Sequence, residues 1–221
     1  AAISYLPSLS ALSSLRTTVT QPAAKSFIGF GDPVFKENQN SGGRSAAVAS
    51  RGIIRRNATA PGALENAAQI QRRSSNLELL EALPDTSDEV KEIARILRAD
   101  EGKDVNLGRR ASEQLVKSTD LSQYRVVMFA THGLVPGELP DLPQPALALS
   151  NPNLTNETED GFLTLAEILE LKLNADWVVL SACNTASADG QASEAVSGLG
   201  RAFFYAGAKA LLVSHCPVET V

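Results

Sequence analysis

Apolar residues in this 221-residue chain gather into short unbroken runs, with stretches of helical spacing between them. Ser26-Phe27-Ile28-Gly29-Phe30-Gly31 closes on Asp32-Pro33 and predicts a strand ended by a turn. Arg125-Val126-Val127-Met128-Phe129-Ala130 is apolar after its first residue, and so is Trp177-Val178-Val179-Leu180-Ser181-Ala182 up to its serine. Ala210-Leu211-Leu212-Val213-Ser214 is a further run, and Val105 to Leu107 a shorter one. Runs without polar alternation predict strands buried on both faces.

Helical patterns fill the intervals. Thr86-Ser87-Asp88-Glu89 reads as a capping box, followed by Val90, Ile93, Ala94 and Leu97 at helical spacing. Thr164-Leu165-Ala166-Glu167 reads as a second box opening a helix through Leu171, and Ala111 to Val116 as a short helix. Val196, Leu199, Gly200, Phe203 and Phe204 make one helical face that ends near Gly207. Strands alternating with helices imply an α/β fold, a mostly parallel sheet with helices on both faces. We read 1–221 as a single domain. A parallel strand ending so near Val221 predicts covering elements beyond it, so the domain is read as C-terminally incomplete.

Composition adjusts this picture in three ways. No apolar run approaches the ~18 residues of a membrane helix, so no membrane partner is expected. A net charge of −5 argues against a dedicated nucleic-acid binder. Residues 36–76 stand apart, with seven Lys or Arg against two Asp or Glu and a Ser/Gly/Arg bias. This stretch is read as a flexible basic insertion that exposes Arg55-Arg56 and Arg72-Arg73 to peptidases. No aromatic residue interleaves its arginines, so a solvated loop is preferred over a nucleic-acid patch. Two cysteines and no leader-like start imply a reducing, cytoplasmic setting.

In open α/β sheets, ligands bind outside the carboxyl ends of the strands. Three strand ends here run into Thr131-His132-Gly133, Cys183-Asn184-Thr185 and His215-Cys216-Pro217, and these hold every histidine and cysteine of the chain. A histidine beside a cysteine can take its proton and make a thiolate nucleophile. Neighbouring strands would bring His132 and Cys183 together, with the N–H groups of Gly133 and Cys183 as oxyanion donors. Singly, either residue reads as ordinary structure, since free cysteine usually packs as a small apolar side chain. A zinc site from His132, Cys183, His215 and Cys216 fits no short metal motif, and adjacent His215 and Cys216 point to opposite faces of a strand, so no metal is expected. A Cys183–Cys216 disulfide is disfavoured in a reducing compartment. Gly29-Phe30-Gly31 lacks the third glycine of a phosphate loop, so no nucleotide or other cofactor is expected.

At these residues the sequence resembles the CHAT domain, a caspase-like domain commonly attached to tetratricopeptide repeats. The resemblance rests on Phe129-Ala130-Thr131-His132-Gly133, on Asp160 to Ile168 and on Ala175 to Thr185. Weaker matches are Tyr5 to Ser10, Gly29 to Pro33 and Ser197 to Phe203. It implies a caspase-like fold and a cysteine peptidase with His132 as base and Cys183 as nucleophile, acting on a polypeptide and joined to a helical-repeat partner. It gives His215 no catalytic role. Cys216 stands where relatives commonly carry Trp, bordering the substrate cleft, and Glu219 is the acidic residue available to read a basic substrate side chain. Ser181 is a further pocket-wall candidate, with simple packing as its alternative. The competing reading is a non-catalytic interaction module with the same fold.

Overall fold

The computed structural model describes residues 23–37, 70–181 and 191–213, with side chains from residue 198 onward in the last segment. Five parallel strands form the main sheet: β1 (Lys25–Gly31), β2 (Val105–Leu107), β3 (Tyr124–Ala130), β7 (Trp177–Ser181) and β8 (Leu211–Val213), in spatial order β2-β1-β3-β7-β8. Sequence order reverses at β1, since β2 lies on one side of it and β3 on the other.

Each face of the sheet buries its own set of side chains, as strand alternation requires. On one face Phe27, Met128 and Ala130 pack with Val90 and Ala94 of helix α1 (Asp85–Ile96). Gly29 and Gly31 make this contact close, because a Cβ on either would lie within 3 Å of the Val90 side chain. The other face carries Ile28, Phe30, Val127, Phe129, Val178 and Leu180. Three helices cover it, and they bury Val116, Ile168 and Leu199 with Phe203. After the four-residue α2 (Glu101–Asp104), these are α3 (Glu113–Ser118), α5 (Leu165–Glu170) and α6 (Gln191–Ala206). Phe129 lies at the centre, its ring 5.4 Å from Phe30 and 5.6 Å from Phe203.

A second sheet, antiparallel and three-stranded, joins β4 (Gly133–Leu134), β5 (Ala146–Ala148) and β6 (Phe162–Thr164), with α4 (Pro152–Thr155) between the last two. It buries a third cluster that includes Phe35, Leu77, Leu134, Leu142 and Phe162. The hydrophobic pattern does not reveal this sheet.

Two local expectations are corrected. The Thr86–Glu89 capping box does not form. Pro84 is the N-cap of α1, while the Thr86 hydroxyl accepts from the Asp32 N–H at 2.8 Å and donates to the Leu83 carbonyl at 2.7 Å. The Thr164–Glu167 box is present in full. Of the stretch expected as a flexible insertion, 38–69 lies outside the described residues, but 70–76 is helical. Arg73 pairs with Asp160 at 2.5 Å, and the buried Ser74 hydroxyl bonds the Asp160 carbonyl. Those long-range polar ties override a local sequence with little apolar character. Among the described residues no helix is long and apolar enough to cross a membrane.

Candidate active site

The carboxyl ends of β1, β3 and β7 meet at one edge of the main sheet. Gly31 is in register with Ala130, and Ala130 with Ser181. Because sequence order reverses at β1, the crevice between the ends of β1 and β3 is where an open α/β sheet offers a binding site. Asp32 leaves β1 there and His132 leaves β3.

The backbone around His132 is held on both sides. Thr131 N donates to the Ser181 carbonyl at 3.2 Å, and the Thr131 hydroxyl donates to the Ala148 carbonyl. Ala148 N donates to the His132 carbonyl at 2.9 Å. Gly133 then opens β4 opposite Leu147. In an antiparallel ladder a residue just past such a bond sits at a non-hydrogen-bonded position. The Gly133 N–H therefore points away from β5, and with no side chain beside it a ligand could approach closely.

The His132 side chain is 8% exposed. Its Nε2 lies 2.9 Å from the Glu81 carbonyl, and its ring centroid is 5.7 Å from that of Phe35. A carbonyl oxygen only accepts, so Nε2 carries hydrogen and the lone pair of the neutral ring is on Nδ1. Nδ1 is thus the nitrogen able to take a proton.

Carboxylates surround this edge. The Ser181 hydroxyl donates to Glu89 of α1, 2.8 Å from each carboxylate oxygen. The pocket-wall candidate is therefore committed to tying α1 to the end of β7. Asp32 adopts a left-handed φ of 47°. Burial raises its carboxyl above the ordinary range, against the opposing pull of Lys91. Cys183, Cys216 and Glu219 lie outside the described residues.

A second polar cluster lies behind the small sheet. Glu113, Glu159 and Glu167 bring carboxylate oxygens within 4.8 Å of one another. Lys117 takes the place a cation would fill, with Nζ at 3.3, 2.7 and 3.1 Å from the three. Burial, then the charges of Glu167 and Asp160, push the Glu113 carboxyl up to about 9. Burial also pushes Glu167 upward, but bonds from Thr164 and Lys117 outweigh it and leave it low. A cavity of about 560 Å³ lined by Lys25, Arg125, Asp176 and Lys209 opens at the opposite, amino-terminal end of the strands, away from His132.

The hydrophobic pattern and the strand-end rule pointed to His132 and Gly133, and Ser181 came in with the family resemblance. They missed Asp32, Glu81, Glu89 and Glu113. Asp32 carries a readable signal, a turn residue directly after a strand. Glu81 acts through its backbone carbonyl, which leaves no mark on residue choice.

The family model for the CHAT domain matches residues 1–221, the whole chain. No curated protein matches it. The chain belongs to the CHAT family, and its parallel sheet flanked by helices is the caspase-like, peptidase-related fold of that family.

Proposed function

We propose that this CHAT domain is a cysteine endopeptidase with Cys183 as nucleophile and His132 as its base. The observation that carries the reading is the register of β3 on β7. Ala130 faces Ser181 at the ends of parallel neighbouring strands, and in the sequence His132 and Cys183 each come two residues after them. The bond of His132 Nε2 to the Glu81 carbonyl supports it further, since it leaves the lone pair of the neutral ring on Nδ1.

In this mechanism His132 Nδ1 takes the thiol proton and the Cys183 sulfur attacks the scissile carbonyl. The resulting oxyanion is held by the N–H groups of Gly133 and Cys183. Its collapse breaks the C–N bond, and imidazolium Nδ1 gives its proton to the leaving amine. Water, deprotonated by the same nitrogen, then hydrolyses the thioester and restores the thiol. The Glu81 carbonyl holds the Nε2–H throughout and keeps the ring from turning.

The substrate is a polypeptide, with Cys216 and Glu219 bordering the cleft and an attached helical-repeat domain presenting it. The thiolate chemistry suits a reducing, cytoplasmic setting.

Cys183→Ala is expected to abolish peptide-bond cleavage, and His132→Ala to lower it by at least about 100-fold, the range of general acid–base catalysis. A pH titration of Cys183 with a thiol-alkylating probe checks the step before cleavage. An apparent pKa well under the ~8.5 of free cysteine is expected. A Cys183 that labels only as a free thiol, in a folded chain that cleaves nothing, would instead identify a non-catalytic interaction module.

A further inference from the structure

Glu113 is the most buried acid of the cluster behind the small sheet, 1% exposed, and the dyad does not use it. Its Oε2 accepts from Gly161 N at 2.8 Å. The Gly161 carbonyl in turn accepts from Leu149 N at 2.8 Å. Leu149 directly follows Ala148, whose N–H holds the His132 carbonyl and whose carbonyl holds the Thr131 hydroxyl. Four hydrogen bonds and one short strand thus join a buried carboxyl to the backbone of residues 131 and 132. The joint has little slack. Gly161 has φ +85°, and a Cβ there would lie 2.5 Å from Leu77 Cδ1 and 3.3 Å from the Ser150 carbonyl.

We propose that Glu113 is a positioning residue for His132 and Gly133. As a neutral acid it anchors Gly161, and through β5 it fixes where β3 hands over to β4. The proposal deepens the peptidase reading and rests on it for its catalytic meaning.

The surroundings select the neutral form. Lys117 on the same helix approaches Glu113, but it also serves Glu159 from the loop before β6 and Glu167 of α5. Asp160 faces the cluster and is matched by Arg73 of the helical segment 70–76. Glu157 is turned to the Ser112 hydroxyl at 2.8 Å. Glu113 and Glu167 bring carboxylate oxygens within 4.8 Å of each other, a separation that disfavours two charges. Ionised Glu113 would repel Glu167 and Asp160, pushing apart α3 and the loop that carries Gly161.

The test reads His132 itself. The chain has two histidines, so ring-¹⁵N labelling gives two sets of signals, assigned with His215→Gln. The measurement is made in full chain carrying Cys183→Ala, so it needs no peptidase activity. The neutral His132 ring should show hydrogen on Nε2 and none on Nδ1. On raising the pH above 8 its signals should move with a midpoint near the 9 expected for Glu113. Glu113→Gln keeps an acceptor for Gly161 N and never ionises, so it should leave the pH 8 signals in place and abolish the alkaline movement. Glu113→Ala should shift the pH 8 signals and mix the tautomers. Unchanged His132 signals in a folded Glu113→Ala chain would overturn the proposal. So would an alkaline movement that persists in Glu113→Gln, and that arm decides the matter if the alanine variant does not fold. A negative result here leaves the peptidase reading standing, and a chain that cleaves nothing leaves this linkage standing.

Discussion

Replacing Glu113 by Gln should stabilise the domain, and by an amount that depends on pH. The carboxyl titrates at about 9 when folded, against 4.5 for the ordinary group. A raised folded-state value means that the folded chain keeps a proton the unfolded chain gives up. The contribution of Glu113 to stability is therefore fully present below about pH 4.5 and is lost progressively as pH rises towards about 9. Each pH unit in that window removes about 1.4 kcal/mol. Across the interval from 4.5 to neutrality this amounts to roughly 3 kcal/mol, a large share of the ~5–15 kcal/mol that holds a domain together. Glutamine keeps the shape and never ionises, so it escapes the loss. Its amide hydrogens would meet Lys117 Nζ, which lies 3.3 Å from Glu113 Oε1, and this offsets part of the gain. The expected outcome is near equality around pH 5 and about 1–3 kcal/mol in favour of Gln at pH 7. Urea unfolding of both chains at a series of pH values checks it, because groups common to both cancel in the difference. A difference that stays flat with pH, or that increasingly disfavours Gln, would refute the claim that Glu113 is folded in its neutral form.

Three further changes probe the frame around the site. Phe129→Ala empties the centre of the Phe30–Phe129–Phe203 cluster and should cost about 3–5 kcal/mol in denaturant unfolding, whereas a loss below about 1 kcal/mol would mean that the cluster is loosely packed. Gly207→Ala should destabilise by at least about 2 kcal/mol, because φ is +113° and the new Cβ would collide with the Leu173 carbonyl oxygen; an unchanged melting temperature would contradict this turn geometry. Limited trypsin digestion, read by intact mass, should spare the bond after Arg73 in the native chain and open it in Asp160→Asn, since helix and ion pair both protect it; early cutting there in the native chain would show that the segment is not docked.

Where the sequence could be read, the reason is burial. β1, β3, β7 and β8 lie in a parallel sheet covered by helices, so each is an apolar run that stands out from its neighbours. β4, β5 and β6 are only two or three residues long, too short for any period to register. The two capping boxes show the same limit. Thr164 and Glu167 bond each other locally, and their spacing suffices. Thr86 and Glu89 have the same spacing, but Asp32 N takes the first and Ser181 the second, from 54 and 92 residues away. Long-range partners likewise ordered residues 70–76 despite their resemblance to a loop. His132 was legible because it follows a buried strand and precedes glycine. Its orientation was not, because it depends on the backbone carbonyls and amides of Glu81 and Ala148.

The small sheet explains how a strand end becomes a rigid place to do chemistry. A parallel sheet delivers side chains to its carboxyl edge, but each strand stops there and its last residues lose their ladder partners. β3 avoids this by passing from one sheet into another within two residues. Its final register is fixed by β7 through Thr131 N, and its continuation by β5 through the His132 carbonyl. In the proposed mechanism the residue between those bonds is the one whose ring must hold its place, because the rate of proton transfer falls steeply with misplacement. Phe35 and Glu81 complete the hold on the ring. The antiparallel sheet is thus a splint for His132, the proposed base. A substitution that loosens β5, with the main sheet left whole, should impair His132 before it unfolds the domain.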